Sequence, residues 1–375
     1  MVRLRLVALF LLLTAFYGSS VRAETEATDE DSVARRVDTR PRQRRGLPLL
    51  RSLYHFVQEF SRVDTNYVEP QHYNFTAMLQ NTNTYEVYHL RNRAGQEIVF
   101  SPKPSYRLGP YFGWRWIFLG YTIDLTHLGG GSKKQDFNLS LYSNQIGVDL
   151  FYRKSGDVYC ISDINLGNDY DMSSLEGVGF SGFRTSIVGF NLYYIFNHRK
   201  FSYPAAYSQS TVQRRSCGSP MLGIGYTKHK LDIDLVALRK LAEERMGNGT
   251  IAELVDSSLL FSNVNYTDYS VSGGYAYNWV FARNWLFDIS LQAALGYKHA
   301  VSDLKKSDLN LFRNFDFKNF NIDGIFRMGV VWNNTRWYVG SSAVFHTYNY
   351  SKSQFSTNNM FGNVNFYVGF NFGKR

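Results

Sequence analysis

Between Tyr266 and Ala300 the chain alternates apolar and polar residues for two long runs separated by a single break. In the first, Thr267, Tyr269, Val271, Gly273, Tyr275, Tyr277, Trp279 and Phe281 take one parity, against Asp268, Ser270, Ser272, Gly274, Ala276, Asn278 and Val280. After the turn Ala282-Arg283-Asn284 the pattern resumes, with Trp285, Phe287, Ile289, Leu291, Ala293, Leu295 and Tyr297 opposite Leu286, Asp288, Ser290, Gln292, Ala294, Gly296 and Lys298. A period of two belongs to strands, whose side chains point alternately to opposite faces. These runs exceed the usual strand of about 5–6 residues. Long apolar-out, polar-in strands joined by tight turns, with Tyr and Trp gathered near the turns, are the pattern of a transmembrane β-barrel.

The same pattern gives strands over 73–91, 96–113, 116–127, 135–143, 145–160, 183–197, 217–233, 265–281, 285–299, 318–333, 336–350 and 358–373. The expected fold is therefore all-β: an antiparallel transmembrane outer-membrane β-barrel of twelve strands, with ten or fourteen left open because 73–91 admits splitting. Short turns fall at Gly113-Trp114-Arg115, Asn144, Arg283-Asn284 and Asn333-Asn334. The connections 128–134, 161–182, 234–264, 300–317 and 351–357 are longer. Barrels of this kind carry short turns on the periplasmic side and long loops outside, and with both termini periplasmic the connections sort accordingly. The exception is 198–216, a long connection on the short-turn side.

The beginning of the chain reads differently. Residues 1–23 have the form of a secretory signal peptide: Arg3 and Arg5, an apolar core from Leu6 to Tyr17, and Val21-Arg22-Ala23 before Glu24. Residues 24–46 run from acidic to basic with almost no apolar side chains, the composition of a disordered linker. Within 47–72, Leu49, Leu50, Leu53, Phe56, Val57 and Phe60 recur at helical spacing, which predicts a short amphipathic helix and lead-in before the barrel at 73–375.

Composition agrees. Aromatic residues make up 17% of the chain and charged residues only 19%, a balance suited to a protein with one face in lipid. No internal run supplies the about 20 apolar residues that a spanning helix needs. The formal charge of +10 includes three arginines of the predicted leader and an Arg-rich half of the linker, so it gives no case for nucleic-acid binding. Two cysteines, Cys160 and Cys217, make no disulfide framework.

Several segments resemble a known family: DTNYVEPQHYNFTAMLQNTNTYE (64–86), GPYFGWRWIFLGYTIDL (109–125), VDLFYRK (148–154), YYIFNHRKFSYPAAYSQS (193–210) and RRSCGS (214–219). They resemble the Bacteroidetes outer-membrane family known as domain of unknown function 4421. The resemblance spans 64–372 and implies an outer-membrane barrel, with no catalytic residues to carry over.

Motifs for chemistry are few. Gly177-Val178-Gly179-Phe180-Ser181-Gly182 has the G-x-G-x-x-G spacing, but a strand follows it where a dinucleotide site needs a helix. The histidines show no metal-ligand spacing and no nucleophile elbow occurs, so no cofactor, metal or catalytic residue is expected. The informative set is the polar parity. Asp124, Asp149, Arg153, Asp268, Asp288, Gln292, Lys298, Asp323 and Arg327 fall opposite the apolar face and are the candidate lumen-facing residues. Ionisable groups there either face water, lining a hydrated lumen that selects polar solutes, or pair with one another and hold the interior closed, and the sequence leaves both open. The leading expectation is a passive channel or binding barrel for small polar solutes. The alternatives are an outer-membrane hydrolase with a site in the wall, for which His346 is the candidate to remove, and a structural scaffold. Outer-membrane lipid is the expected surrounding, with an envelope protein as a partner at 198–216. The segment 234–264 has helical spacing at Leu235, Leu238 and Leu241 and is expected to act as a lid.

Overall fold

A computed structural model of the chain describes residues 63–374, apart from 93–94, 103–104, 115–116, 121–122, 125–134, 155–158, 168–170, 247–262, 301–316 and 352–354. The predicted leader, linker and amphipathic helix, with the segment 1–62, lie outside the described residues.

The strands are β1 (Val68–Pro70), β2 (Tyr73–Asn92), β3 (Glu97–Pro102), β4 (Ser105–Trp114), β5 (Ile117–Gly120), β6 (Ile123–Asp124), β7 (Gln135–Tyr142), β8 (Ile146–Lys154), β9 (Tyr159–Asn165), β10 (Gly179–Phe180), β11 (Phe183–Ile195), β12 (Thr211–Gln213), β13 (Cys217–Ile233), β14 (Asn263–Ala282), β15 (Trp285–Ala300), β16 (Phe320–Asn333), β17 (Trp337–Ser351) and β18 (Phe355–Lys374). Among the described residues two α-helices interrupt them, α1 (Tyr203–Tyr207) and α2 (Leu235–Met246), with 3-10 turns at Ser173–Leu175 and Phe317–Asn319.

The wall consists of twelve antiparallel passes. It runs from β5 and β6 through β4, β2, β18, β17, β16, β15, β14, β13 and β11 to β8 and β7. The long ladders follow from the period-two pattern: β14 pairs with β15 from Tyr266↔Ala300 to Ala282↔Trp285, and β18 pairs with β2 from Phe355↔Asn92 to Lys374↔Tyr73. The turn between β14 and β15 is closed by Asn284 at φ 65°, a left-handed conformation that Asn tolerates. Between β16 and β17, Asn334 Oδ1 accepts from the backbone N–H groups of Arg336 and Trp337, at 3.1 and 2.7 Å. This is the local turn chemistry that Asn supplies.

The sheet curls onto itself. Arg327 on β16 meets Asp149 on β8, although four strands separate them in the wall. Tyr88 on β2 donates to Thr185 on β11 at 3.3 Å. The rings of His229 on β13 and Tyr348 on β17 lie 4.7 Å apart. Such contacts require opposite walls to face each other around a bore. The two ends of the path, β5–β6 and β7, follow one another in the chain through 125–134, and among the described residues no ladder joins them.

Side chains sort by parity. Val271, Leu291, Leu295 and Ile322 are more than half exposed on the outer face, while Asp268, Gln292, Lys298 and Asp323 on the same strands are buried. Trp279, Phe281, Trp285, Trp337, Phe370 and Phe372 are exposed near the short turns, where a girdle of aromatic residues meets the membrane interface.

Three predicted strands are redrawn: 96–113 divides into β3, which pairs with β9, and β4, which stays in the wall, 116–127 holds β5 and β6, and the third is 145–160. The run 145–160 ends at Lys154, and Tyr159–Asn165 leaves the wall to form β9, which pairs with β3 and β10. The reason is apolar cover. Tyr159, Ile161 and Ile164 of β9 join Tyr88, Leu90, Ile98, Phe100, Leu175, Phe180, Phe183 and Leu238 of α2 in one buried cluster. Phe100 and Phe183 stack within it at 4.3 Å. This cluster lies across the end of the bore where the longer connections emerge.

The bore as candidate functional site

At the short-turn end, the connection 198–216 folds into the mouth. Ser202 and Tyr203 are fully buried, as is Phe201, and Ala205, Ala206, Gln209 and Gln213 are nearly so. Pro204 sets the start of α1, and polar side chains fix it to the wall. Tyr203 donates to Ser290 Oγ at 2.6 Å and Tyr207 to Asp288 Oδ1 at 2.5 Å. Gln209 Nε2 donates to Tyr367 Oη at 3.0 Å, and Asn333 Nδ2 donates to Gln209 Oε1 at 3.2 Å. Asn278 Nδ2 donates to Ser202 O at 2.9 Å and to Gln213 Oε1 at 3.0 Å. Burial pushes the Tyr203 and Tyr207 phenols up, so both stay protonated donors.

Outside the mouth, β12 pairs with β1. Glu69 on β1 accepts from His72 Nε2 at 2.9 Å and from Arg214 Nε at 2.5 Å. Partial burial disfavours the Glu69 carboxylate, but its bonds with His72 and Arg214 and their charges outweigh this and hold it below the usual carboxylate range.

Above the plug, Arg327 Nη2 is bonded to Asp149 Oδ2. The guanidinium carbon lies 4.8 Å from the centre of the Tyr193 ring, and Tyr142 donates to Asp149 Oδ1 at 3.3 Å. Gly147 makes room for this arrangement, because a Cβ there would lie 2.1 Å from the Tyr193 ring. A second layer holds Lys298, whose Nζ donates to Asp323 Oδ1 at 2.7 Å and to Asn349 O at 2.5 Å. The Tyr266 and Tyr348 rings lie 5.8 and 5.6 Å from that ammonium. Arg153 approaches Glu86 at 3.5 Å and stands 5.0 Å from the Phe361 ring. Glu86 also accepts from Tyr159 at 3.2 Å and Tyr88 at 3.3 Å.

Eight of the nine candidate residues are buried: Asp149, Arg153, Asp268, Asp288, Gln292, Lys298, Asp323 and Arg327. The structure joins Arg327 with Asp149 and Lys298 with Asp323. Asp268 sits opposite Lys298 in the ladder, and among the described residues neither its oxygens nor Asp288 Oδ2 nor Gln292 Nε2 has a hydrogen-bond partner. Asp124 pairs with Arg107 in the ladder, and its side chain lies outside the described residues. His346 is buried, with its ring 5.1 Å from Phe361 and 5.8 Å from Phe151. No hydroxyl bonds to it among the described residues, and its Nδ1 has no partner. Gly177 to Gly182 holds the short strand β10 and turns into β11, without a helix. Both cysteines are free. No cluster of three or more metal-ligating side chains occurs among the described residues.

Two groups of residues were missed by the sequence reasoning. Glu86 and Tyr88, on the inward parity of β2, escaped because that strand is polar on both faces. The plug residues carry no periodicity. Their one signal is that 201–213 is free of charge between Arg199-Lys200 and Arg214-Arg215.

A twelve-pass antiparallel wall with an apolar aromatic exterior and a polar buried interior defines a transmembrane β-barrel of the outer-membrane type. The chain belongs to the family described as Domain of unknown function (DUF4421), whose model matches residues 62–372. No curated protein matches it. Among solved structures it is similar to the outer membrane protease OmpT from Escherichia coli, at 8% identity and TM-score 0.30, covering 80% of this chain and 97% of that one. It is similar to the P. putida toluene transporter TodX at 9% identity and TM-score 0.21, covering 80% and 91%. The outer membrane protein OprG from Pseudomonas aeruginosa gives 9% identity and TM-score 0.24, covering 81% and 98%. Likenesses this distant carry nothing about activity, and the barrel rests on its own ladders and cross-bore contacts.

Proposed function

We propose that this protein is a closed outer-membrane barrel with a structural role in the cell envelope, and not a standing pore for solutes. The observation that carries this reading is the occupied bore. The plug from 201–213 fills one mouth, the Arg327–Asp149 pair bridges opposite walls, and the apolar cluster of β3, β9, β10 and α2 covers the other end. At twelve strands, side chains and loops still suffice to fill a barrel. The exposed apolar girdle supports a membrane setting, and the export signal expected at 1–23 supports the outer membrane as its destination.

Planar-bilayer recording on the refolded chain from Glu24 to Arg375 tests the reading. The folded barrel is expected to be silent. Stable ohmic steps from the unmodified protein would refute closure and restore the solute channel, with the ion pairs as its selective wall.

A further inference from the structure

The outward face of β2 changes character near its long-loop end. Below, Tyr85 packs 6.4 Å from Phe345 and Val87 stands opposite Met360, so the exterior is apolar. One pleat further on, His89 faces Asn358 and Arg91 faces Ser356 across the β18 ladder. On the other side Arg91 faces Glu97 of β3. These five polar side chains line a recess of about 310 Å³. The recess begins where the apolar band stops.

Its groups are arranged for an anionic, hydroxylated ligand. His89 Nδ1–H donates to Glu97 Oε1 at 2.9 Å, which fixes the ring, and in the imidazolium form the second N–H, at Nε2, is the donor available to a phosphate. Arg91 makes no ion pair among the described residues, although Glu97 is its ladder neighbour. A guanidinium offers paired donors that match phosphate oxygens. Ser356 and Asn358 add neutral donors and acceptors. Glu97 accepts hydrogen bonds but repels a second anion, so the recess favours one phosphate accompanied by hydroxyl groups. A free solute would have no use for the apolar band directly beneath. An amphiphile standing in the surrounding leaflet would use both.

We propose that this recess binds the headgroup of a phosphorylated glycolipid, with its phosphate on Arg91 and His89, its sugar hydroxyls on Glu97, Ser356 and Asn358, and its chains along Val87 and Met360. The proposal rests on the membrane setting proposed above, but not on closure of the bore.

The test is native mass spectrometry of the full chain in detergent micelles. The probes are a synthetic monophosphorylated, acylated glucosamine disaccharide, its dephosphorylated counterpart, and inorganic phosphate. Every variant is first checked for a folded barrel by heat-dependent gel migration. Arg91→Gln and His89→Ala are each expected to weaken binding of the phosphorylated lipid by about tenfold, the scale of one charge-assisted hydrogen bond. Lys240→Gln, on the exposed face of α2, is expected to leave binding unchanged. Equal binding of the dephosphorylated lipid, undiminished binding by folded Arg91→Gln, or inorganic phosphate binding as tightly as the lipid would each overturn the proposal. Bilayer recording decides the closed bore separately, so the two readings fail independently.

Discussion

Arg327 on β16 and Asp149 on β8 stand 178 positions apart in sequence and close a buried ion pair through the middle of the bore. Arg327 is fully buried. Its desolvation is offset by one carboxylate and by the Tyr193 face beneath it, while among the described residues its Nε and Nη1 have no hydrogen-bond partner. A pair held this way is sensitive to losing either member, because the survivor is left as an uncompensated buried charge.

Arg327→Met and Asp149→Leu are each expected to destabilise the barrel by about 3–5 kcal/mol. The double variant is expected to recover much of that loss, since two apolar groups leave no stranded charge. Urea unfolding in micelles, run as a double-mutant cycle, measures the coupling. Additive losses would show that the two side chains act independently.

The apolar cap has a different signature. Phe183 is buried between Phe100 at 4.3 Å and Tyr159 at 4.9 Å. Phe183→Ala is expected to cost about 3–5 kcal/mol by leaving a cavity, and Phe183→Leu much less. Thermal unfolding of the two variants gives the comparison, and equal costs would argue against tight packing there.

Charge on the lipid-facing surface is penalised according to depth. Leu291 and Ile322 are among the most exposed apolar residues on the wall. Leu291→Arg is expected to cost about 2–4 kcal/mol if it lies near the bilayer midplane. Refolding yield into lipid vesicles at graded urea reports this. A neutral effect in lipid would count against the membrane placement of this face.

Docking of β1 on β12 should depend on acidity. Partial burial disfavours the Glu69 carboxylate, but the hydrogen bonds and charges of His72 and Arg214 outweigh it and hold the carboxyl below the usual carboxylate range. A carboxyl depressed in the folded state stabilises above its unfolded pKa, and that contribution is lost as pH falls through the lower folded value. Amide exchange at Glu69 and Val212, which pair across the two strands, is therefore expected to stay constant down to the ordinary carboxylate range and to quicken below it. Glu69→Gln should be fast throughout and flat with pH.

How much of this was legible depends on whether a neighbour or a distant residue does the work. Alternation along one strand placed Cys217–Ile233 at its observed bounds, and Trp285–Ala300 to within a residue. It also separated Asp288 and Gln292 from Ile289 and Leu291. Alternation says nothing about partners: nothing local in Arg327 points to Asp149 in place of Asp288. β9 went unrecognised because Asp163 breaks its apolar parity, and only its pairing with β3 makes that tolerable. The burial of Phe201 to Gln213 comes from hydrogen bonds to four wall strands, none of them visible within the segment itself.

The plug belongs to the middle of the chain, between two strands that pair over thirteen positions from Phe183↔Ile233 to Ile195↔Met221. It is a stitch sewn at both edges, unlike a stopper on a tether. A terminal plug can be withdrawn whole into the periplasm. This one can leave only as a bulge whose ends stay a strand's width apart, a loop whose closure entropy the hairpin has already settled. Whatever loosens the mouth must therefore do so with both ends of the segment held at the rim by the β11–β13 ladder.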